Sequence, residues 1–154
     1  MNAKSKLNGQ RVAIVTGPSS AIGLGITQAL LQGGYNVLVN SRTVSRPEAG
    51  NLGDNLSVKE GRETSRLASL YALAAAKKYL RDLNRLKRLL KLTVLMVTTE
   101  QFTEHAQVAD GASNLFARIF GPETGHVRLV YGVKSLPVGA PVIVDVIFEI
   151  RPGP

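Results

Sequence analysis

The pattern of the chain changes between residues 43 and 53, and any fold must accommodate both sides of that change. Ahead of it, RVAIVTG is a β-branched run ending in a glycine-rich turn, and YNVLVNSR supplies a second run after a short apolar helical stretch. Behind it come a long helical pattern, one apolar strand, a second helix and two more strands. With 154 residues there is room for one ordinary core and not for two complete ones. The junction TVSRPEAGN, carrying Pro47 and Gly50, divides the chain into segments 1–46 and 47–154.

RVAIVTG suits a strand buried in a parallel sheet, and Gly33-Gly34 closes the helix that follows the turn. Strand, helix and second strand make a Rossmann-like βαβ fragment whose turn lies at a helix N-terminus, where a pyrophosphate is held. The turn, Thr16-Gly17-Pro18-Ser19-Ser20-Ala21-Ile22-Gly23, resembles that of the short-chain dehydrogenase/reductases, with Ala21 in place of the middle glycine. That resemblance implies NADP binding through Thr16, Gly17, Gly23 and Arg42, the arginine meeting a 2′-phosphate. It covers about a quarter of the chain. The family's catalytic Tyr-x-x-x-Lys is missing, since Tyr71, Tyr79 and Tyr131 are followed at that spacing by Ala75, Leu83 and Ser135.

In the second segment Ser57-Val58-Lys59-Glu60 fits a capping box that starts a helix running to about Leu80. Leu67, Leu70, Tyr71 and Ala74 are its expected apolar stripe. Residues 89–99 predict a strand buried on both faces. Val108, Ala112, Leu115 and Ile119 mark a second amphipathic helix that stops at Gly121-Pro122. HVRLVYGVKS and PVIVDVIFEI are two strands, expected to form a hairpin through LPVGA. Such a hairpin sets Arg128 opposite Glu149 and packs Tyr131 with Val127, Leu129 and Val133 in the core. The fold class predicted is α+β, with helices on one face of a sheet.

GNLGDNLSVKEGR, DGASNLF, GHVRLVYGVKSLPVGAPV and DVIFEI together resemble the Rid/YjgF family over about residues 50–151. The resemblance implies a chorismate-mutase-like fold, a homotrimer, and a cleft between subunits for a small carboxylate-bearing metabolite. It implies that Arg128 holds the carboxylate, with Gly111, Val130 and Ile143 around it. In deaminating members water attacks an imine or enamine and ammonia leaves. Ile143 stands where those members carry a glutamate, and Val130 where they often carry cysteine. The family's first hairpin is replaced by the βαβ segment. Some members are called L-PSP endoribonucleases, which adds RNA as an alternative partner. From the residues alone, Arg128 is equally a ligand anchor or half of an ion pair with Glu149, and His126 a polar residue at a strand entry.

Net charge is +8, with five basic and no acidic side chains in residues 1–47. Lys77, Lys78, Arg81, Arg85, Lys87, Arg88 and Lys91 form a second basic cluster opposed by Asp82. Such a face attracts phosphates, or is simply a solvated helix end; no aromatic platform accompanies it. The chain has no cysteine, which removes disulfides, thiolate metal sites and cysteine nucleophiles. Two histidines, His105 and His126, argue against a zinc site, and no cofactor is expected apart from the NADP alternative. No leader or membrane-spanning run is evident, so a cytoplasmic location is expected.

Overall fold

A computed structural model describes residues 11–16, 36–40 and 50–151. The elements are β1 (Arg11–Thr16), β2 (Asn36–Asn40), α1 (Val58–Leu80), β3 (Leu86–Val97), α2 (His105–Phe120), β4 (Val127–Val133) and β5 (Val142–Ile150). No helix among the described residues is long and apolar enough to cross a membrane.

The capping box forms. The Ser57 hydroxyl accepts the Glu60 amide at 3.3 Å, and the Glu60 carboxylate accepts the Ser57 amide at 2.9 Å. These bonds satisfy two amides that a helix start leaves without partners. They also hold the Glu60 carboxyl below its ordinary pKa. At the other end, Arg81 adopts φ 64° and donates its amide to the Lys77 carbonyl at 2.8 Å, closing α1.

The buried face of α1 matches the expected one only at Leu70, which packs against the core. Leu67 and Tyr71 are 37% and 38% exposed and Ala74 faces solvent, whereas Gly61, Ser65, Ser69, Ala72, Leu73 and Ala76 are buried. Close approach is the reason. A Cβ at Gly61 would lie 2.6 Å from Leu52 Cδ2, and one at Gly111 of α2 would collide with the Arg62 carbonyl oxygen. The two helices meet through their smallest residues, so side-chain size outweighs hydrophobicity in choosing the face.

The sheet order is β2-β1-β5-β3-β4. β1 and β2 are parallel, as the βαβ reading requires, and β1 joins β5 antiparallel from Arg11 opposite Glu149 to Ala13 opposite Ile147. The first segment therefore extends the sheet at an edge that β5 would otherwise expose. The expected hairpin is absent: β4 pairs in parallel with β3, and β3 pairs antiparallel with β5. The link after β4 passes over the end of β3, where the Val97 amide donates to the Pro141 carbonyl at 2.9 Å. β3 lies inside the sheet between β5 and β4, and β4 takes the edge.

Alternation then gives the sheet two unequal faces. Leu92, Val94 and Met96 of β3 with Val144, Val146 and Phe148 of β5 lie under the helices and are buried. Phe116 of α2 closes on Phe148 at 5.7 Å between ring centroids, and Phe120 does so at 5.8 Å. α2 buries Val108, Ala109, Gly111, Ala112 and Phe116, while Ile119, expected in its stripe, is 48% exposed. β3 is buried on that face and only partly on the other, where Lys91, Leu95 and Val97 are half-buried. Tyr131 is not a core residue, being 49% exposed, and Val127 beside it is 61% exposed.

Candidate functional site

Arg128 lies on the helix-facing row of β4, opposite Leu92 of β3. At this edge its long side chain reaches α2. Nη1 donates to Asp110 Oδ1 at 2.6 Å and to Ser113 Oγ at 3.3 Å. Asp110 and Ser113 are three apart in a helix and so share one face. Ser113 Oγ also approaches His126 Nε2 at 3.4 Å, which strings the four side chains into one polar chain. The expected Arg128–Glu149 pair does not form, because β4 and β5 are not neighbours. Glu149 instead bridges Lys87 and Arg88, each at 2.6 Å.

Arg128, Ser113 and His126 border a cavity of about 310 Å³ whose apolar wall includes Phe116 and Phe120. Thr124 closes the loop at its rim by donating to the Gly121 carbonyl at 2.7 Å. Partial burial lowers the pKa of His126, and the charge of Arg128 lowers it further, favouring the neutral ring. The guanidinium uses only Nη1 among the described residues, so its Nε–Nη2 edge is open for a second, bidentate acceptor. The arrangement sets a guanidinium with one open edge beside an imidazole whose neutral form is favoured.

The other anticipated residues disperse. Val130 shares the Arg128 row but packs against the core. Gly111 adjoins Asp110 in sequence yet faces the α1 backbone. Ile143 pairs with Leu95 on the opposite face of the sheet. Thr16 ends β1, while Gly17, Gly23 and Arg42 lie outside the described residues. The basic cluster is broken up, since Lys87 and Arg88 are spent on Glu149 and Lys91 faces Asp145 electrostatically. Asp110 and Ser113 were missed in the sequence; the D-x-x-S spacing in DGASNLF was their available signal. Among the described residues no group of three or more His, Asp or Glu side chains could hold a metal ion.

A family model described as "YjgF/chorismate mutase-like, putative endoribonuclease" matches residues 10–150. The chain belongs to this family. The matched span includes β1 and β2 as well as the segment whose motifs carried the resemblance. "Protein TCP17" of Trypanosoma cruzi is 42% identical over 103 residues, covering 66% of this chain and 64% of that protein. A crystal structure of an Agrobacterium tumefaciens protein of unknown function is 31% identical with a TM-score of 0.66, covering 71% of each chain. A Shewanella oneidensis protein titled "putative endoribonuclease" has a TM-score of 0.64 at 24% identity, over 80% of this chain and 97% of that one. At that identity the likeness concerns the YjgF-like fold alone, and it agrees with the α+β architecture above.

Proposed function

We propose that this YjgF-like protein binds a small carboxylate-bearing metabolite on Arg128, in a cleft completed by further copies of the chain in a homotrimer. The observation that carries this reading is the half-used guanidinium at the cavity: Asp110 and Ser113 fix Nη1 and leave the other edge of the fork outward. A planar carboxylate matches that edge bidentately, and the aromatic wall accommodates a short apolar chain. Assembly is supported by the apolar row Val127, Leu129 and Tyr131, which one chain leaves exposed beside Leu95 and Ile143. Joining that face to a neighbour would bring Ile143 into the cleft by a route a single chain does not offer.

The reaction this site supports best is imine or enamine deamination. Water adds its oxygen to the imine carbon, the C–N bond breaks, and ammonia leaves as the ketone forms. Ile143 has no proton to exchange, and His126 is the group in the cavity able to take the water's proton, its neutral form being favoured. Coupling the protein to an amino-acid dehydratase and following ammonia measures this directly. Arg128→Ala should abolish the acceleration, and Asp110→Asn should retain it with altered affinity. Wild-type rates from Arg128→Ala would overturn the site. A monomeric mass in solution would overturn the cleft.

A second reading rests on the parallel pairing of β1 with β2, the geometry a dinucleotide-binding βαβ unit requires. On this reading Thr16, Gly17, Gly23 and Arg42 bind NADP. Titration of NADPH fluorescence with millimolar protein should show saturation, and an unchanged signal would remove the proposal.

A further inference from the structure

We propose that the groove between the N-terminal half of α1 and the C-terminal half of α2 binds a compact polyanion, a small molecule carrying two or more phosphates. The groove is a cavity of about 460 Å³, bordered by Lys59, Arg62, Arg66 and Arg118, with Glu63 the one acid in its wall. Arg66 is already satisfied: its Nη2 lies 2.6 Å and its Nε 2.9 Å from the Glu63 carboxylate oxygens. Lys59, Arg62 and Arg118 have no ion-pair partner among the described residues. Three cations on two helices thus border one concavity with no ion pair to any of them among the described residues.

The packing of the helices brings these cations together. Gly111 has no side chain because α2 rests on the Arg62 carbonyl, and this closeness sets Arg62 beside α2. Lys59 also lies in the first turn of α1, where the helix dipole makes a cation unfavourable. A purely structural helix start would favour an acid at this position. An anion in the groove reverses both penalties, the mutual repulsion and the dipole. Guanidinium forks suit phosphate oxygens, the volume lies in the range of small-ligand pockets, and Leu115 adds an apolar patch for an organic remainder.

Calorimetric titration of the full chain with sodium tripolyphosphate at low salt tests the proposal. Saturable binding is expected at one site per chain. Arg62→Gln and Arg118→Gln should each weaken it by about tenfold, the loss of one charge-assisted contact. Glu63→Gln should tighten binding by releasing the Arg66 fork, a gain that misfolding cannot imitate. Melting curves without ligand establish that each variant is folded. The Lys77→Gln/Lys78→Gln double variant removes charge at the far end of α1 and should bind as wild type. The proposal is overturned by the absence of saturation, or by equal weakening in the Lys77/Lys78 variant, which would mark a net-charge effect. It is also overturned if single-stranded RNA is retained and tripolyphosphate does not displace it, since the groove would then belong to a nucleic-acid surface.

Discussion

The two faces of the sheet carry nearly the same kind of sequence and have opposite fates. On the helix side Leu92, Val94, Met96, Val146 and Phe148 are fully buried at 0% exposure, whereas on the other side Tyr131 keeps 49% and Val127 61%. Alternation identifies a strand but does not say which row a helix will cover. Topology decides that, and here it leaves an apolar row exposed. The largest effect should come from truncating the covered row. Phe148→Ala, which empties the space between Phe116 and Phe120, should cost about 4 kcal/mol in urea unfolding. Tyr131→Ala should cost little in dilute protein and progressively more as concentration rises, because its contacts would lie between chains. Equal, concentration-independent costs at the two positions would break the contrast.

A related contrast runs through α1, where Leu67 and Tyr71 face out while Gly61, Ser65, Ala72 and Ala76 face in. Gly111→Ala should destabilise the protein by about 3 kcal/mol, since overpacking against the Arg62 backbone has no flexible atom to displace. Leu67→Ala, on the exposed side of α1, should change stability by less than about 0.5 kcal/mol. A Gly111→Ala protein with wild-type stability would show that the helices can part freely.

Local features were legible in the sequence and non-local ones were not. The Ser57–Glu60 box and the stop at Gly121 are written within a few residues and form as read. Arg128 could be picked out by family resemblance. Its partner Asp110 could not, because that contact needs β4 beside β3 and beneath α2, a consequence of strand order. The exchange of Glu149 for Asp110 as neighbour follows from one wrong strand pairing. The α1 stripe failed differently: Gly61, Ser65 and Ala72 are buried because they are small, a property that a hydrophobic periodicity discounts. Ser57→Ala therefore probes the legible part, and should cost about 1 kcal/mol with no effect on assembly.

A small effect sharpens the comparison of faces with pH. Asp145 lies on the open side of the sheet, opposite Thr93, amid apolar neighbours. Burial raises the pKa of its carboxyl above the ordinary 3.8, and Lys91 pulls the other way less strongly. The native chain therefore holds this proton more tightly than the unfolded chain does. Its favourable contribution is complete below the unfolded pKa and is lost as pH rises through the folded one. At neutral pH the ionised carboxylate opposes folding, and it would oppose still more any association that covers this face. Asp145→Asn should thus raise the melting temperature by about 2 °C at pH 7 and leave it unchanged at pH 3. The gain should grow with protein concentration if the open face is where copies meet. A gain of the same size at both pH values would show that amide packing, and not the carboxylate's charge, separates this side of the sheet from the other.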